Sequence, residues 1–179
     1  IAQNREITKP NALWEVDIKY GYIHCEDKLF YISSFLNVHD RNIVEHHMGL
    51  SYTDEDMTII LKRALMKCAL YDKDTNLIIK SDNDSQFIIH KFEDTYKKLK
   101  LEHERIPFKT PNKNANIESF HRLLEDEGLF TYEFKTYEAV FEYMKSYNKV
   151  RIHSSLEYIS QLEFYQKTLE GSHMNIYVQ

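Results

Sequence analysis

The sequence predicts an α/β domain, a five-stranded mixed sheet flanked by helices. Three observations predict it. Residues 12–20 alternate apolar and polar, the period of a half-covered strand. Two more aromatic and aliphatic runs follow, separated by short polar turns, as in an antiparallel meander. Helical and strand-like segments then alternate, which adds strands to the same sheet through helical crossovers.

In the first strand Trp14, Val16, Ile18 and Tyr20 share one face, and Glu15, Asp17 and Lys19 the other. Taken alone, the second set reads as a solvated strand face. Cys25-Glu26-Asp27-Lys28 reads as a turn, Leu29 to Val38 as the second strand, and Ile43 to Leu50 as the third. Helical spacing begins near Asp54, with Met57, Ile60, Leu61, Ala64, Leu65, Cys68 and Ala69 on one stripe and Thr53 or Asp54 as cap. Asn76 to Asp82 is an almost continuous apolar run, as in a central buried strand. Ser85 to Lys100 reads as a helix with Phe87, Ile88, Phe92, Tyr96 and Leu99 inward, and Glu102 to Phe108 as the fifth strand. A loop over 109–114 leads to a helix capped by Asn114 or Asn116 and stopped by Gly128. Thr136 caps a further helix through Asn148, and a short helix spans Leu162 to Leu169.

Composition sets the class. The 179 residues are 42% apolar and 28% charged, ordinary for one soluble domain. No run of about 18 apolar residues marks a membrane span, and no signal-peptide pattern opens the chain. Cys25 and Cys68 match no metal or redox spacing; two lone thiols suit a reducing, cytoplasmic setting. The first residue is Ile1, which suggests a piece of a longer protein. Gly171-Ser172-His173-Met174 suggests a cloning-derived tail over 171–179. The expected organisation is a catalytic core over 1–135, a helical extension over 136–170, and that tail. Net charge is −5, yet residues 91–113 hold seven basic against four acidic side chains, and binding follows local patches.

Three acids stand out. Asp17 lies within the first strand, Asp82 ends the buried run, and Glu118 opens a helix. The carboxyl end of a strand is where open α/β sheets place ligands. Three carboxylates from three elements suit two magnesium ions, and two such ions drive phosphodiester chemistry. Each acid also has a plainer reading: Asp17 solvated, Asp82 a turn residue, Glu118 an ion pair with Arg122. On the helix, Ile117, Phe120 and Leu124 face the core, and Glu118, His121, Arg122 and Glu125 share the polar side.

Thirty-five residues separate Asp82 from Glu118. With that spacing come four words in order: Leu13-Trp14-Glu15-Val16-Asp17-Ile18, Ser81-Asp82-Asn83-Asp84-Ser85-Gln86-Phe87, Asn114-Ala115-Asn116-Ile117-Glu118-Ser119-Phe120, and Tyr147 through Leu156. On these words the chain resembles the integrase catalytic core of bacterial insertion-sequence transposases of the two-reading-frame (IS-three) family, relatives of retroviral integrases. The resemblance implies a ribonuclease-H-like fold with first and fourth strands adjacent. It implies an Asp-Asp-Glu triad at Asp17, Asp82 and Glu118, serving as catalytic residues and as ligands of two Mg2+ ions, with Mn2+ as a substitute. It implies a polynucleotidyl transferase that cleaves DNA at element ends and joins them to target DNA, as a homo-oligomer on DNA in the bacterial cytoplasm and nucleoid, with no membrane partner.

Lys109, Lys113, Asn114, Arg122, Arg151 and His153 are the candidate DNA contacts. Tyr147, Asn148, Arg151 and His153 equally suit bonds between the C-terminal segment and the core. The chain departs from the family at Asp84, where glycine is usual, at Glu125, where a basic residue is common, and at Gln161, where proline is favoured. Two rivals share the fold: an inactive DNA-binding or assembly descendant, and a nuclease that cuts without joining. His46-His47 suggests a zinc pair, but strand alternation sends the two to opposite faces.

Overall fold

A computed structural model describes residues 6–82, 90–106, 114–129 and 134–174. Strands β1 (Leu13–Ile23), β2 (Lys28–Asn37) and β3 (Ile43–Gly49) form the antiparallel meander. Helix α1 (Asp54–Lys67) crosses over to β4 (Ile78–Ser81), and α2 (His90–Lys98) leads to β5 (Glu102–Arg105). Both later strands run parallel to their neighbours, giving the order β3-β2-β1-β4-β5. The first and fourth strands are therefore adjacent, as expected.

Alternation along the strands divides the core in two. On one face Trp14, Val16, Phe35 and Ile79 pack against Met57, Ile60, Leu61, Ala64 and Leu65 of α1. On the other, Ile23, Phe30, Ile32, Leu36 and Ile43 pack against α3 (Ala115–Leu124) and α4 (Tyr137–Val150), through Ile117, Phe120, Leu124, Val140, Met144 and Tyr147. Each of these larger side chains contributes about 1.5–3 kcal/mol by leaving water. The sheet is thus covered on both faces, so the polar face of β1 is only partly solvated: Glu15 is fully buried and Asp17 partly exposed.

Local signals explain the helix ends. Asp56 accepts from the N–H and the hydroxyl of Thr53, 2.8 and 2.7 Å away, at the start of α1. Thr136 accepts the N–H of Ala139 at 3.2 Å and caps α4. Gly128 was expected to stop α3. Instead the chain continues from Leu124 into a π-helical turn, Glu125–Leu129, that contains it. The ring of Phe134 fills the space where a Cβ on Gly128 would stand, so close approach is the reason for this glycine.

After α4 come β6 (Ile152–His153), a 3₁₀ turn (Ser154–Leu156), β7 (Ile159–Ser160) and α5 (Gln161–Met174). Helix α5 is longer than expected and enters the segment read as a tail. No described helix is long and apolar enough to cross a membrane. The expected positions 83–89, 107–113 and 175–179 lie outside the described residues, as do Asp84, Lys109 and Lys113.

His46 and His47 pair across to Ser34 and Ser33 on β2 and meet different neighbours. His47 faces Asp56 at 3.9 Å. Burial, with Lys67, Arg63 and His47 nearby, pushes the His46 imidazole from 6.5 down to about 4. Between those values the unfolded chain holds the extra proton, so folding stability falls as pH drops from 6.5 toward 4. The expected cost near pH 4 is on the order of 3 kcal/mol. Urea midpoints at pH 7 and 4.5 should therefore differ less for His46→Gln than for the parent; an equal difference would remove His46 as the cause.

Candidate active site

The pairing of β1 with β4 runs from Leu13↔Ile78 to Val16↔Ser81. Asp17 and Asp82 are the residues that follow the last of these pairs, Val16↔Ser81. Asp17 is partly exposed, its side chain 20% accessible, and its Oδ1 accepts the N–H of Ile18 at 2.8 Å. Asp82 follows the last residue of β4 and is partly buried. Ser81 beneath it donates its hydroxyl to the carbonyl of Asp82 at 3.0 Å and lies 2.9 Å from Nε2 of His103.

Glu118 reaches the same region from α3. Its carboxyl titrates above the ordinary range, first because it is partly desolvated, then because Asp17 and Glu15 repel its charge; His121 and Arg122 pull the other way. The like-charge effect places Glu118 within the field of Asp17. His121, one turn on, was expected on the polar side of α3. It is instead buried at 6% exposure, with Nδ1 3.4 Å from Oδ2 of Asp17. Burying β1's second face under α3 is what turns the imidazole inward.

Glu15 organises this arrangement. Strand alternation alone predicts a solvated residue there, but it is fully buried. Its carboxylate accepts from Lys80 Nζ at 2.7 Å, from Asn116 Nδ2 at 3.0 Å and from the N–H of Ile117 at 2.9 Å. Ile117 is the third residue of α3, and its N–H is one of the donors that a helix start leaves without an intrahelical partner. Asn114 precedes the helix without making a side-chain cap bond. A strand carboxylate thus caps α3 from a distance of a hundred residues. Lys80, opposite Glu15 in the register, balances the charge. A lysine inside an otherwise apolar buried strand requires an anionic partner, and that was the sequence signal for Glu15.

Lys19, two residues beyond Asp17 on the same face, forms an ion pair with Glu125 in the π-helical turn. Glu125 is therefore a tie between that turn and β1.

The other expected contacts divide. Arg122 is exposed on α3, and Asn114 is buried at 3% exposure. Arg151 donates through Nε to Glu127 at 2.9 Å and through Nη1 to the carbonyl of Ile152 at 3.0 Å. Asn148 accepts from the N–H of Ile43 and donates to its carbonyl, and Tyr147 packs edge-on against Phe120. These three bond the C-terminal segment to the core, one of the two readings left open.

An all-carboxylate donor set fits a hard divalent cation. Among the described residues, however, no three His, Cys, Asp or Glu side chains are gathered as a metal-binding group. Asp17 and Asp82 each follow the last β1–β4 pair, and Glu118 lies in the field of Asp17, without the three being assembled as ligands.

This is a ribonuclease-H-like fold of the kind found in retroviral integrase catalytic cores. A chain of the simian T-cell lymphotropic virus intasome, solved with PP2A regulatory subunit B56 gamma, aligns with TM-score 0.72 and 14% identity over 92% of this chain and 57% of that one. The HTLV-2 integrase catalytic core in complex with magnesium (trimeric form) aligns with TM-score 0.63 and 12% identity, over 87% of this chain and 97% of that one.

In sequence, a family model described as Integrase core domain matches residues 99–160. That span contains Glu118 but neither Asp17 nor Asp82. The transposase for insertion sequence element IS904 of Lactococcus lactis subsp. lactis (strain IL1403) is 27% identical over 169 residues, 92% of this chain and 65% of the relative. The insertion element IS600 uncharacterized 31 kDa protein of Shigella sonnei is 26% identical over 165 residues, 89% of this chain and 59% of the relative. The chain spans less than two thirds of either curated relative.

Proposed function

We propose that this chain is a transposase/integrase catalytic domain that acts in DNA integration and transposition, of the insertion-sequence (IS-three) type. Asp17, Asp82 and Glu118 are its Asp-Asp-Glu triad, and its reaction is polynucleotidyl transfer. The reading rests chiefly on one observation: Asp17 within β1 and Asp82 just past the end of β4 follow the last pair of two adjacent parallel strands, with a third acid on a clamped helix inside the field of the first. The integrase-type fold and the transposase relatives support it.

The three carboxylates would hold divalent ions, two Mg2+ with Mn2+ as a substitute. Bound there, such ions supply Lewis acidity and an activated nucleophile for phosphodiester chemistry. The chain's own residues prepare the site. Glu15 and Lys80 fix where α3 begins and so where Glu118 sits. His121 steadies Asp17. Asp17 and Glu118 repel each other, so a cation between them relieves a strain already present. DNA element ends and target DNA are the substrates, held by a homo-oligomer.

The test is a nicking and strand-transfer assay on element-end DNA with manganese. The parent chain should cut and join, and Asp82→Asn and Glu118→Gln should do neither. Cutting without joining would assign a nuclease. Absence of both, with no stabilisation by magnesium or manganese, would assign an inactive descendant.

A further inference from the structure

The flank of α3 away from Asp17 holds a second polar site. Glu118, His121 and Glu125 share one side of that helix; Asn116, Ser119 and Leu123 lie on another, which borders a cavity of about 230 Å3. Arg41, His153 and Ser155 complete its polar rim, and Phe120 forms part of its floor. The volume equals about seven or eight waters of the liquid, enough for a phosphate group with its flanking atoms.

Two donors there are uncommitted. Arg41 lines the cavity, and its Nη1, sealed from water beneath the rim, meets no hydrogen-bond acceptor among the described residues, so a turn of the guanidinium toward an anion in the cavity would give it one. The backbone of Arg41 is fixed, its N–H donating to the carbonyl of Asn37 at 2.9 Å, so the side chain leaves the β2–β3 turn from a set position. His153 accepts the N–H of Ser155 on Nδ1 at 3.2 Å. A neutral ring that accepts on Nδ1 carries its proton on Nε2, which leaves that nitrogen as a donor. The acidic groups acting on Arg41 are engaged elsewhere: Glu15 by Lys80, and Asp40 by Asn37 and Asn42. Burial first, and then the charges of Arg41 and Arg151, hold His153 below its ordinary pKa, which keeps the ring neutral and Nε2 a donor.

We propose that this cavity is an anion site that takes a backbone phosphodiester of bound DNA, with Arg41 and His153 as donors and the Ser119 and Ser155 hydroxyls at its rim. A guanidinium suits phosphate because its planar donors match two oxygens at once. The choice of DNA as the source rests on the function proposed above. The solvent-facing ridge of α3, carrying Glu118, Ser119 and Arg122, joins the triad region to the cavity, so one strand lying across the helix meets both.

The test measures affinity of the full chain for a fluorescent duplex of arbitrary sequence between 50 and 200 mM salt. Removing one phosphate contact lowers the slope of log affinity against log salt by about one, and affinity at low salt by roughly fivefold. Arg41→Gln should do this. Ser119→Glu puts a negative charge at an exposed rim position and should weaken binding similarly without changing the melting temperature. If Arg41→Gln fails to fold, Ser119→Glu decides alone. Unchanged affinity and slope in folded variants would overturn the site. Inorganic phosphate is titrated in parallel by thermal shift: protection lost in the variants, with DNA binding unchanged, would overturn the DNA assignment in favour of a free anion. Absence of cleavage and joining by the parent chain, with the slope reductions of Arg41→Gln and Ser119→Glu still observed, would refute the enzymatic reading and leave this site standing.

Discussion

Glu15→Ala is expected to cost about 3–5 kcal/mol of folding stability, the range for leaving one partner of a buried ion pair uncompensated. A domain of this kind has about 5–15 kcal/mol in total, so the variant should be folded only marginally. The cost has two parts. Lys80, whose side chain is 12% accessible, loses its counter-charge, and the Ile117 N–H and Asn116 amide lose their acceptor. The double variant Glu15→Leu/Lys80→Met separates them. Removing both charges should restore most of the loss and leave a deficit of about 1 kcal/mol from the missing helix cap. Urea midpoints read both numbers. A single-variant loss below about 1 kcal/mol would show that the pair is not the clamp on α3, because buried pairs broken on one side cost several times that.

Asp17→Asn carries the largest expected effect on activity. It removes one charged oxygen ligand shared by the proposed metal site, and electrostatic terms of that kind are worth several kcal/mol. At 1.36 kcal/mol per tenfold, a loss of about 4 kcal/mol is roughly a thousandfold in rate. Duplex binding, which depends on phosphate contacts, should change little. The same variant has a spectroscopic signature. Asp17 is the largest charge raising the Glu118 carboxyl, so carbon-detected titration should find Glu118 ionising at lower pH in Asp17→Asn. An activity loss without that shift would place the two carboxylates too far apart to share a cation. Retained activity would remove Asp17 from the triad.

Much of the fold was legible because it is written in short periods. Trp14 and Val16 alternate with Glu15 and Asp17, and the stripe from Met57 to Leu65 repeats every three to four residues; both sit where that spacing predicts. The apolar run before Asp82 is a central strand for the same reason. The helix around Glu118 was legible in its core face, Ile117, Phe120 and Leu124, but not in its polar one. His121 and Glu125 look alike in sequence to any exposed helix residue. Whether they meet solvent or β1 depends on which side of the sheet α3 covers. Gly128 departs from its sequence expectation for a related reason. A glycine after a helix suits a stop, yet here it leaves room for the ring of Phe134, a contact that no local pattern encodes.

From its residues alone the chain determined the mixed sheet and three acids on three elements, since strand and helix periodicity is a property of neighbours in sequence; the adjacency of the first and fourth strands came from the resemblance of its motifs. Only the tertiary structure decided that Glu15 is buried, that it caps a helix 102 residues away, and that His121 faces Asp17. The physical reason is desolvation. A carboxylate in water and a carboxylate sealed under a helix have the same sequence context, and what separates them is the long-range packing that removes the water and supplies the lysine.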